Sequence, residues 1–200
     1  PPVADEWVLR ADAQHPSVRK AQLGLAIAQL ETEKARAGHL PTLDAVASLS
    51  NSHTVGTTRT TSLGVQLNLP LFAGYAIQNR VKETLSLEEK SRNDLEAARR
   101  GVAQGTRQAF FGVQSGQAQV KALEAAESSS QLALEATQLG YKVGVRVNLD
   151  VLNAQTQLYT TRRDLAKARY DVLVGGLRLR QAAGLLKPED IGAVNQLLAR

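Results

Sequence analysis

Apolar residues recur every three to four positions over residues 16–38, every second position over residues 42–70, and every three to four positions again towards residue 185. These two periods predict helix, then strand, then helix. In the first stretch Pro16 suits an opening helical turn, and Val18, Leu23, Leu25, Ile27 and Leu30 form an apolar face. Gly38 and Pro41 close that helix, and a shorter one is expected over about residues 4–13. In the second stretch Leu63, Val65, Leu67 and Leu69 alternate with small or polar residues. Leu43, Ala45, Ala47 and Leu49 do the same, with Val46 out of pattern. Two strands of about ten residues, joined by a polar connector over Asn51–Thr60, predict a β-hairpin. That length and alternation suit a membrane-spanning strand, and also an ordinary half-buried hairpin in water, which alternation alone favours.

The third stretch is governed by proline. The six prolines stand at 1, 2, 16, 41, 70 and 188, so residues 71–187 hold none and long unbroken helices are expected. From about Ala76 to Leu139 apolar residues fall near a 3.5-residue repeat diluted by Ala, Ser and Thr. Gly101, Gly105, Gly112 and Gly116 share one stripe, which suits close approach of another helix. Gly140–Gly144 is expected to break the helix. A last helix then runs from about Asn148, a candidate N-cap, to Leu185, with Gly184 and Pro188 ending it. At 1.5 Å per residue the middle helix measures roughly 96 Å, and the first and last together roughly 91 Å. The fold expected is mainly α: long antiparallel coiled-coil helices with one β-hairpin, whose uncovered stripes call for further copies of the chain.

Composition narrows the function. Of 200 residues, 43% are hydrophobic, 22% charged and 4% aromatic, with neither Cys nor Met. No apolar run reaches the 18 residues of a transmembrane helix, and thiolate sites are impossible. The lack of Met and the opening Pro1–Pro2 read as a processed protein or a piece of a longer one. The net charge of +5 is interspersed. Its arginine pairs, Arg99–Arg100 and Arg162–Arg163, lack the interleaved aromatics of a nucleic-acid face, so no nucleic-acid partner is expected. His15, His39 and His53 stand in no metal-ligand spacing, Ser128–Ser130 has no base nearby in sequence, and no phosphate loop is present. No enzyme activity and no cofactor are expected.

Several stretches, taken in order, resemble the TolC-like outer-membrane channel proteins of Gram-negative efflux pumps and type I secretion systems. They are Gly38-His39-Leu40-Pro41-Thr42-Leu43-Asp44, and Leu69-Pro70-Leu71-Phe72-Ala73-Gly74, with Tyr75 in place of a second glycine. Gly140-Tyr141-Lys142-Val143-Gly144-Val145-Arg146 and Asp150-Val151-Leu152-Asn153-Ala154-Gln155 follow, then Ala168-Arg169-Tyr170-Asp171 and the Leu177–Leu186 stretch. The resemblance implies half a protomer, the second of two repeats. Residues 1–41 would give a short helix and the first tunnel helix, and 42–75 a hairpin of the outer-membrane barrel. Residues 76–139 would give a long tunnel helix, 140–147 the periplasmic tip turn, 148–187 the return helix and 188–200 a short helical segment. Three chains would form a duct for efflux or secretion, working with a periplasmic adaptor and an inner-membrane transporter of ABC or RND type. The same resemblance makes Tyr141 and Arg146 candidates for contacts that close the tip. Asp150 would line the pore constriction as a carboxylate ring, with Asn153 where some relatives carry a second Asp. The bland alternative for the tip is that Tyr141 packs over the turn and Arg146 pairs with Asp150 four residues on. The alternative for the whole chain is a soluble, elongated coiled-coil structural or adaptor protein. The cargo is not legible.

Overall fold

A computed structural model describes residues 3–53 and 56–198; of Leu197 and Leu198 only the backbone is described. Thr54 and Val55 of the expected connector, the two opening prolines and the last two residues lie outside that description. The elements in chain order are α1 (Ala4–Gln14), α2 (Pro16–Ala37), β1 (Thr42–Ser52), β2 (Thr58–Asn68), α3 (Ala76–Lys142), α4 (Asn148–Ala182) and α5 (Pro188–Leu198). The chain is thus mainly α with one antiparallel hairpin, as its periodicities predict. No helix among the described residues is long and apolar enough to cross a membrane.

The chain divides into two compact units, residues 20–96 and residues 1–19 with 97–200. In the first, α2 and the opening turns of α3 run antiparallel. Thr32 lies buried between them, its hydroxyl donating to the Ala28 carbonyl at 3.1 Å or to Glu88 Oε2 at 3.3 Å. The hairpin ladder pairs Thr42 with Asn68 and continues without a break to Ser52 with Thr58. This register puts Leu43, Ala45, Ala47 and Leu49 on one face with Leu67, Val65, Leu63 and Thr61. The other face carries Thr42, Asp44, Ser48, Ser50 and Ser52 opposite Asn68, Gln66, Ser62, Thr60 and Thr58. Ser48 and Ser62 share a hydroxyl bond of 2.6 Å there. Val46, which breaks the alternation in sequence, sits on that polar face opposite Gly64. Both strands have the expected length of about ten residues but reach further into the expected connector. The Ser- and Thr-rich ends keep their backbone ladder, so the ten-residue connector shrinks to residues 53–57. Neither face of the sheet is covered by the chain.

The second unit is built on α3 and α4, antiparallel in one constant register. Thr106 meets Ala182, Val113 meets Gly175 and Gly116 meets Val172; in each pair the two residue numbers add to 288. Leu134, Leu158, Leu165, Ala168 and Leu179 form its buried seam. Thr106 is fully buried and donates its hydroxyl to the Ala182 carbonyl at 3.1 Å, satisfying one of the orphan acceptors at the end of α4. On the rim, Arg162 Nε reaches Glu127 at 2.9 Å and Arg169 reaches Glu124 at 2.9 Å. α1 lies antiparallel to α3, tied by Arg99–Asp12 at 3.3 Å and Arg107–Asp5 at 3.1 Å, over the fully buried Ala11. The pair Arg180–Asp190 fastens the start of α5.

Three details differ from the sequence reading. α3 runs on through Gly140 to Lys142, because Gly140 keeps helical pairing and the left-handed conformation falls at Gly144, with φ of 80°. α4 starts at Asn148 but its N-cap is Val147, and it ends at Ala182 rather than Leu185. Of the glycine stripe, Gly116 is met by α4 at Val172, whereas among the described residues nothing comes within 4 Å of a Cβ at Gly101, Gly105 or Gly112.

Candidate functional site: the turn between the two long helices

α3 ends in a compact turn. Val143 N donates to the Leu139 carbonyl at 3.1 Å and Gly144 N to that of Tyr141 at 3.0 Å. Val145 and Arg146 both donate to the Gly140 carbonyl, at 2.9 and 3.1 Å. Gly144 allows this reversal because its positive φ carries no Cβ penalty. Asp150, in the first turn of α4, turns back and accepts from the Val147 amide at 3.4 Å, satisfying a donor at the helix start where a carboxylate also suits the dipole. The spacing from Val147 to Asp150 is that of a residue at N3, a signal present in the sequence.

The structure brings Arg146 and Asp150 together, with Nη1 and Oδ2 at 3.8 Å across one helical turn. An exposed i,i+4 pair of this kind is worth about 0.3–0.5 kcal/mol. Asp150 is half-buried, and Tyr141 and Asn153 are exposed. Tyr141 contributes its carbonyl to the turn. Val143, Val145, Val147 and Leu149 stand exposed around it, an apolar cap on a polar turn. Sequence reasoning missed Gly140, whose two accepted hydrogen bonds and lack of a Cβ organise the turn. Among the described residues no His, Cys, Asp or Glu side chains gather as a metal site.

The profile of outer membrane efflux proteins matches residues 7–185, and the chain belongs to that family of Gram-negative outer-membrane proteins. It is 32% identical over 206 residues to the outer membrane protein TolC of Escherichia coli, covering 95% of this chain and 42% of that protein. With the alkaline protease secretion protein AprF of Pseudomonas aeruginosa the identity is 33% over 194 residues, covering 94% and 40%. Among solved structures, the outer-membrane channel OprN superposes with a TM-score of 0.78 at 20% identity, over 94% of this chain and 44% of that one. The open state of the Neisseria gonorrhoeae MtrE channel gives 0.73 at 21% identity, over 92% and 42%. The chain therefore spans about two fifths of these relatives. The family is one of transport ducts rather than enzymes.

Proposed function

We propose that the full-length protein carrying this chain is a trimeric exit duct for efflux or type I secretion, closed at the α3–α4 turn. The observation that carries this reading is the hairpin: one face apolar from Leu43–Leu67 to Ala47–Leu63, the other polar but for Val46 and Gly64, and neither covered by the chain. That is the two-sided pattern of a barrel strand between lipid and an aqueous lumen. In this reading residues 42–75 join the barrel, α3 and α4 form tunnel wall, and residues 140–147 form the periplasmic tip. The apolar cap around Tyr141 is the surface on which a periplasmic adaptor docks, with an inner-membrane transporter of ABC or RND type behind it.

At the tip, Tyr141 and Arg146 make the closing contacts, and Asp150 supplies a ring of carboxylates beside Asn153 in the narrowed bore. Such a ring concentrates cations and binds multivalent ones. Support comes from the half-exposed Asp150 carboxylate beside the turn; its Arg146 partner, 3.8 Å away, offsets part of its charge. The test is planar-bilayer conductance of the full-length protein. Discrete steps with divalent-cation block that weakens in Asp150→Ala are expected, and Tyr141→Phe with Arg146→Ser is expected to raise conductance. A silent bilayer from folded trimer, unchanged by those tip substitutions, overturns the duct; unchanged block in Asp150→Ala overturns the carboxylate ring.

A further inference from the structure

We infer that Gly140 is a positioning residue: its bare face seats the stem of Arg146, and so holds the guanidinium on Asp150 and sets the cation affinity of the tip. The inference rests on the pore reading of Asp150, and its geometry stands apart from that reading. A Cβ on Gly140 would lie 2.7 Å from Arg146 Cγ and 3.5 Å from Arg146 Cβ. The second distance is ordinary contact; the first cannot be occupied. Cγ is placed by one torsion, χ1, so clearing the clash swings the whole arginine arm into another staggered well. The far end of that arm is the group 3.8 Å from Asp150 Oδ2. The backbone cannot yield instead without cost, because the Gly140 carbonyl accepts from both Val145 and Arg146 and pins the turn.

The consequence is a division of labour. Asp150 carries the charge, Arg146 offsets it, and Gly140 determines whether Arg146 is there to do so. Among the described residues, only those two atoms of Arg146 would lie within 4 Å of a Cβ at Gly140. An alanine at this position has two opposing effects. It favours the helical backbone of α3, where glycine is the poorer residue, and it evicts the arginine. The second effect arises only when residue 146 has a Cγ.

The experiment is a double-mutant cycle in the full-length protein, with Gly140→Ala and Arg146→Ala alone and combined. Unfolding midpoints are read by far-ultraviolet circular dichroism, and calcium block of bilayer conductance is read alongside. Gly140→Ala is expected to raise the midpoint less when Arg146 is present than in the Arg146→Ala background. Calcium block is expected to tighten about two-fold in Gly140→Ala, the value of an exposed i,i+4 pair, and no further in the double variant. An equal shift of the midpoint in both backgrounds overturns the proposal, as does unchanged calcium block in Gly140→Ala where Arg146→Ala tightens it. If Arg146→Ala itself leaves the block unchanged, the pore reading of Asp150 falls, and the melting cycle alone decides the seating of Arg146.

Discussion

An arginine at Leu63 and an arginine at Ser62 separate a lipid-facing hairpin from a water-facing one. The two residues are neighbours in β2, and the register puts them on opposite faces, Leu63 against Ala47 and Ser62 against Ser48. The apolar face runs from Leu43 to Leu49, six residue steps or about 20 Å at ~3.4 Å each. Its centre lies at residue 46, so the Ala47–Leu63 pair is about 3 Å from the middle of the apolar band. Arginine there meets nearly the full midplane cost on a barrel's outer face, about 2–4 kcal/mol per chain. That corresponds to about a 30- to 700-fold shift in the folded-to-unfolded ratio. Arginine at Ser62 would face the lumen and cost close to nothing. In a hairpin bathed in water both sites are exposed, Leu63 at 82%, and both substitutions stay within about 0.5 kcal/mol. The assay is urea titration of full-length protein folded into lipid vesicles, with protease protection as readout. A large loss confined to Leu63→Arg is expected. Equal midpoints for the two variants refute the assignment of faces, and a loss confined to Ser62→Arg reverses it.

Two predictions concern the helical unit. Thr106→Val keeps the shape of a fully buried side chain but leaves the Ala182 carbonyl without its hydroxyl donor, so a loss of about 1–2 kcal/mol is expected in denaturant titration. Gly112→Ala is expected to gain about 1 kcal/mol, because its Cβ would meet open space within the chain. Gly116→Ala gains nothing, because its Cβ would come within 3.0 Å of Val172 Cγ2. A loss in Gly112→Ala measured on the full-length protein shows instead that another chain seats against that face.

The elements were legible where a pattern is local. Period-2 alternation located both strands, and the absence of proline from 71 to 187 announced two long helices. The strand ends were not legible, because Asn51, Ser52, Thr58 and Thr60 pair through backbone groups that side-chain hydropathy does not report. Nor was the N-cap. Asn148 is a favoured capping type, but the cap falls one residue earlier, at Val147, whose amide donates to Asp150. At the turn, the Arg146–Asp150 pairing follows from i,i+4 spacing and was readable as the bland alternative. The role of Gly140 was not, since it depends on where the chain returns after the reversal. The Thr106–Ala182 bond, 76 residues apart in sequence, belongs to the same class. Four glycines on one stripe looked alike in sequence, and only the position of Val172 singles out Gly116.

The constant register of α3 and α4 has a bearing on how such chains change length. The three contacts Thr106–Ala182, Val113–Gly175 and Gly116–Val172 keep the same sum, and the turn at 143–147 is the fold line. Inserting residues into one arm alone shifts all partners beyond the insertion and sets Thr106 against the wrong carbonyl. Only twin insertions, one in each arm at mirrored positions, preserve the seam, and they must come in lengths that return apolar residues to the same helical face. Descendants of such a chain can therefore grow or shorten this stretch like a folded tape measure, in matched increments, with the crease left where it was.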